Sequence, residues 1–169
     1  MSIVKKHFKK VVSLMILVLI SSGISLSTAQ ASNLDFNSKE FQDKQQVVAK
    51  TLKLENGTYQ IDEELAKGKL TKTEINNINT FFTNIDSKVL DEIVKSLTAS
   101  DVTGEISTKV IPLLPVAVVA FLGTLAAFVG WQLASQITSD FYTWGVKSGC
   151  KKWKKVKVVK SFCKANGYL

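Results

Sequence analysis

"VIPLLPVAVVAFLGTLAAFVGW", residues 110–131, decides how this chain is read. Thr124 is its only polar side chain. Pro112 and Pro115 stand at the entrance, where proline is tolerated because a first-turn N–H has no helical partner anyway. Beyond them, an unbroken helix from Val116 to about Ala134 would hold about 19 residues and reach roughly 28 Å. That length matches the hydrocarbon thickness of a bilayer. The pattern predicts a hydrophobic, membrane-active helix within residues 110–134, with Val116, Val119, Phe121, Leu122, Leu125, Phe128, Trp131 and Leu133 as the inserting side chains. Small residues recur four apart: Ala120 with Thr124, Gly123 with Ala127, Ala126 with Gly130, Gly130 with Ala134. Such spacing lets backbones approach closely in lipid and allows self-association, although alanine and glycine are also simply common in apolar helices. The other reading is a buried core helix. Against it, little chain remains to cover a helix that is apolar on every side.

The tail has the opposite character. "CKKWKKVKVVKSFC", residues 150–163, contains lysines and no acid. Residues 111–169 carry 8 Lys against Asp140 alone, whereas residues 32–110 carry 10 Lys against 13 Asp and Glu. Every one of the 22 basic residues is lysine. A mildly acidic front half joined to a basic back half points to regions with different partners. Lys151, Lys152, Trp153, Lys154, Lys155, Lys157, Lys160 and Lys164 are the candidate envelope-binding residues, the simpler alternative being a solvated charged face. Trp131, Phe141, Tyr142 and Trp144 would suit the headgroup level of a membrane or a small core equally.

Two structures compete for the tail. As one helix, it places Trp153, Val156, Val159, Phe162 and Cys163 near one face, a cationic amphipathic pattern. In such a helix Cys150 and Cys163 would lie about 20 Å apart, and a disulfide needs roughly 4.4–6.8 Å between Cα atoms. A straight helix and a Cys150–Cys163 bond are therefore exclusive. Export favours the bond and a bent or hairpin-like loop; the lack of Gly or Pro between the cysteines favours the helix.

Export itself is read from the start of the chain. Lys5, Lys6, Lys9 and Lys10 precede the apolar stretch Val11–Ile20, and Ala29 and Ala31 supply the small residues of a cleavage site. Residues 1–31 are expected to be a signal peptide cut between Ala31 and Ser32. Removing it removes His7, the only histidine. No Ser-His-Asp triad, Cys-His pair or histidine zinc site can then be built, and two cysteines cannot make a four-thiolate metal site. The chain is accordingly expected to be no enzyme, with no catalytic, cofactor or metal residues.

Residues 32–97 read as a small helical domain. Helical composition runs from Ser38 to Thr51. Alternation around Asn56-Gly57 predicts a β-hairpin near 52–61; Asn56-Gly57-Thr58 also matches a glycosylation sequon. Thr71-x-x-Glu74 fits a capping box, with Leu70 and Ile75 as its staple. Ile75, Ile78, Phe82 and Ile85 follow at helical spacing, and Leu90, Ile93, Val94 and Leu97 mark a second helix over 87–97. About 60 residues is marginal for independent stability, so this unit is also expected to pack on and shield the oily segment. Residues 98–109 form a polar linker. The fold class is mainly α: a small helical front domain with one hairpin, a hydrophobic helix, and an aromatic, lysine-rich tail over 135–169.

This layout resembles secreted bacteriocin-like proteins of Gram-positive bacteria. The matching parts are "VVSLMILVLI" with "AQA", the polar helical front half, "LPVAVVAFLGTLAAFVG", and the lysine-rich tail with its two cysteines. The resemblance implies killing of related bacteria by membrane permeabilisation, an immunity protein in the producer, and proteolytic maturation. The expected partner is an anionic bacterial membrane or cell envelope, not nucleic acid. The alternative is a single-pass surface protein in the cell membrane, with Val110 to Ala134 stopping transfer and the basic tail in the cytosol.

Overall fold

Local capping sets the architecture of the front half. The computed structural model describes residues 35–98 and 115–169. The signal cleavage site at Ala31 and Ser32, the linker beyond Thr98, and residues 110–114 lie outside the described residues. Ser38 caps α1 (Lys39–Thr51) by accepting from the Phe41 N–H. Strands β1 (Leu52–Glu55) and β2 (Thr58–Ile61) follow, antiparallel, with Leu52 opposite Ile61 and Leu54 opposite Tyr59. Their turn is Asn56-Gly57, with φ of 51° and 78°, the left-handed pair a tight hairpin turn requires. A one-turn helix, α2 (Glu63–Ala66), is capped by Asp62. The capping box is fully formed at α3 (Lys72–Asn84): Thr71 Oγ1 accepts from the Glu74 N–H, and Glu74 accepts from the Thr71 N–H. Helix α4 (Ser87–Thr98) buries Leu90, Ile93 and Leu97.

The oily run departs from the sequence expectation. It forms α5 (Pro115–Val129), which ends at Gly130, and a separate helix α6 (Trp131–Trp144). Gly130 adopts φ 83°, a conformation that costs any side-chain-bearing residue and breaks the helix there. Fifteen residues give about 22 Å of helix. Among the described residues no helix is long and apolar enough to cross a membrane. The unbroken helix from Val116 to Ala134 is thereby corrected.

α5 instead occupies the centre of the protein's own core. It packs against α1, α3, α4 and α6. Val118, Val119, Phe121, Leu122, Leu125 and Val129 are all buried, as are Ala120, Ala126 and Ala127. The front half therefore does cover the oily helix, and both share one hydrophobic cluster. Coverage on all sides is achieved because the basic tail contributes too. Phe162 stacks on Phe121 with ring centroids 4.1 Å apart, and Phe36 meets both rings edge-on. The Phe36 N–H also donates to Ser161 Oγ at 2.7 Å, tying the start of the described chain to its end. The small residues serve this packing. A Cβ on Gly123 would lie 3.1 Å from Phe82 and 3.2 Å from Val48, so the face expected to pair with another copy is occupied by α1 and α3. The Thr124 and Thr138 hydroxyls, both buried, donate to the Ala120 and Ala134 carbonyls one turn back, which removes the penalty of an unsatisfied polar group.

Two short helices complete the chain, α7 (Val146–Lys152) and α8 (Lys157–Ala165). The competition between one straight helix and the disulfide is resolved in favour of the disulfide and a bent chain. The chain breaks over 153–156, so two helices fold back and Cys150 and Cys163 bond with their Cα atoms 5.8 Å apart.

Candidate functional site

The disulfide clip formed by α7 and α8 gathers the basic residues. Both cysteines are fully buried. The inner face of α8 is Val158, Val159, Phe162 and Cys163, and that of α7 is Val146, Gly149 and Cys150. Gly149 permits a close approach to α6: a Cβ there would sit 2.3 Å from Phe141 Cδ1. With the apolar residues committed inward, the lysines are left outward. Lys147, Lys151, Lys152, Lys154, Lys155, Lys157, Lys160 and Lys164 are all exposed. Periodicity and the cross-link thus cooperate to make one cationic surface in about 20 residues.

Asp140 is the only acid in the back half, and it is spent inside this surface. Its carboxylate accepts from Trp153 Nε1 at 2.8 Å and from Lys152 Nζ at 2.7 Å. Burial pushes its pKa up, but hydrogen bonds from Lys152, Trp153 and Trp144 outweigh that and hold it below the ordinary carboxylate value. Asp140 therefore stays ionised at neutral pH and pins the Trp153 indole, with the Lys152 ammonium 5.6 Å from the ring centroid. Trp153, expected on the envelope-binding face, is half-buried. It anchors that face more than it projects from it.

The residues expected to insert into lipid lie elsewhere. Val119, Phe121, Leu122 and Leu125 are buried in the core; Phe128, Trp131 and Leu133 are half-buried against it; Val116 alone is well exposed. Two predicted groups, one oily and one basic, are thus joined through the Phe121–Phe162 stack instead of lying in series.

No family model matches the chain, and no curated protein or solved structure is significantly similar to it.

Other chemistry is sparse. Among the described residues no group of three or more His, Cys, Asp or Glu could hold a metal ion. A groove of about 460 Å³ is lined by Leu52, Tyr59, Leu90, Val94, Val116 and Val119, with Asp91 as its one carboxylate. In the front half, Lys44 pairs with Glu74 and also lies 5.3 Å from the Phe128 ring centroid. Burial raises the Glu74 pKa, and hydrogen bonds from Lys44 and Thr71 more than reverse this, leaving it lowered. This pair fastens α1 to α3 across α5. The Phe36–Ser161 tie and the Asp140 hub were not found from sequence. The first spans 125 residues and leaves no local signal; the second was visible only as a lone acid in a basic segment.

Proposed function

We propose that this protein is a secreted, bacteriocin-like antimicrobial that binds anionic bacterial envelopes through the lysine surface of the α7–α8 clip and then permeabilises the membrane with α5. The observation that carries the reading is the clip: a disulfide fixes two amphipathic helices so that lysines face out, and the only acid of residues 111–169 is engaged by Lys152 and Trp153. Each lysine near an anionic surface contributes about 1 kcal/mol. The resemblance to secreted bacteriocin-like proteins supports the same function, with an immunity protein as a producer-side partner.

The core position of α5 adds a step. Its six large buried side chains, Val118, Val119, Phe121, Leu122, Leu125 and Val129, represent on the order of 10 kcal/mol of hydrophobic stabilisation. That is comparable to the whole stability of a small protein. α5 therefore stays inside the fold in water and leaves it only for another apolar phase. The lysine surface brings that phase into contact, and α1 and α3 then yield their places to lipid. The test is depolarisation of Gram-positive cells and leakage of anionic liposomes by the purified, disulfide-bonded protein. Activity on anionic but not zwitterionic liposomes is expected; inactivity on every cell and liposome overturns the proposal.

A further inference from the structure

Trp144 is 63% exposed and Tyr142 is 49% exposed. Both lie in the last turn of α6, and Gly145 alone separates Trp144 from the start of α7 at Val146. Trp144 lies one helical turn beyond Asp140 on α6, the carboxylate that holds Lys152 and Trp153. The exposed indole therefore stands beside the carboxylate that anchors the lysine clip. A hydrophilic wall polymer would use the lysines and gain nothing from an exposed indole. A bilayer interface uses both: its phosphates attract lysine, and its headgroup zone is where tryptophan and tyrosine rings settle.

We infer that the α6–α7 corner, Trp144 flanked by Lys147, Lys151 and Lys152, is a docking edge for an anionic phospholipid bilayer. This rests on the envelope-binding reading and names the edge of the fold that first meets the lipid. Docking places the Trp144 ring in the headgroup zone while the fold is still closed, so lipid contact precedes any movement of α5.

The experiment titrates the purified, disulfide-bonded protein with vesicles containing phosphatidylglycerol and follows tryptophan emission. Subtracting the spectrum of W144F from that of the wild type isolates Trp144. The expected result is binding in which the difference emission moves to shorter wavelength, is quenched by lipids brominated near the headgroup, and escapes aqueous acrylamide. W144A should partition about tenfold more weakly, since taking roughly 60 Å² of indole surface from water at about 25 cal/mol per Å² corresponds to that factor. The exposed position of Trp144 lets both variants fold, and circular dichroism verifies it. Vesicle binding with an unshifted, acrylamide-accessible Trp144 overturns the inference and leaves the lysine reading intact. Binding to lipoteichoic acid but not to vesicles does the same. Binding to neither overturns both.

Discussion

Opening the Cys150–Cys163 bond is the perturbation whose size the structure fixes most directly. The cysteines are separated by 13 positions, and closing a loop of that size in the unfolded chain removes entropy equivalent to about 3 kcal/mol at room temperature. Both sulfurs are buried and each helix of the clip is short, α7 with 7 residues and α8 with 9. Isolated helices of this length do not persist in water, so the cross-link and the Phe121–Phe162 contact together hold them. Refolding in a thiol-free phosphine reductant should lower the urea midpoint by the equivalent of about 3 kcal/mol and the thermal midpoint by roughly 10 °C. The Cys150→Ala, Cys163→Ala double variant should lose slightly more, because two buried sulfurs are also removed. Affinity for anionic vesicles should fall in parallel as the lysines disperse. Midpoints that coincide with and without reductant, in material whose mass confirms reduced thiols, would refute the reasoning.

Three further outcomes are expected. Gly149→Ala forces its new Cβ against Phe141, 2.3 Å away, and overpacking of this kind should cost about 1–3 kcal/mol in denaturant titrations. Glu74 and Asp140 both have lowered pKa values in the folded state. Their contribution is therefore present above the unfolded values of 4.5 and 3.8 and is lost as pH falls through the folded ones. Acid titration of stability should show that loss, and the E74Q/D140N variant should be less stable at neutral pH with a shallower acid decline. Neutralising Lys151, Lys154, Lys155 and Lys160 to Gln should weaken binding to anionic vesicles by about 4 kcal/mol at low salt, or nearly a thousandfold, with the difference shrinking as salt is raised; equal affinities at low salt would show that the clip is not the binding surface.

The readable parts of the fold are those governed by local chemistry. Thr71 with Glu74, and Asn56-Gly57, each act over three or four residues, and the helix and turn they predict are present. The mainly helical class with one short hairpin follows from them and from apolar spacing. The oily run was misjudged at Gly130. An unbroken apolar composition carries no sign that one glycine will adopt φ 83°, and a chain of this size was expected to be too small to bury such a helix. What supplies the missing coverage is the tail itself: Phe162, Val158 and Val159 point inward precisely where lysines dominate the composition. The cysteine spacing was legible in a different way: one straight helix excludes the bond, and the chain does bend at 153–156 to form it. Of the candidate site, the lysines and cysteines were legible by type. The Asp140 hub was not, because it depends on α6 and α7 folding back on each other.

Hydrogen exchange, followed segment by segment in buffer and on anionic vesicles, tests most directly the claim that the oily helix is caged in water and released at a charged membrane. In buffer, α5 amides should exchange among the slowest in the protein, at rates set by global unfolding. On vesicles at permeabilising ratios, α1 and α3 should exchange much faster while α5 stays protected by lipid. Rapid exchange of α5 in buffer, or unchanged protection of α1 and α3 on leaking vesicles, would contradict the account.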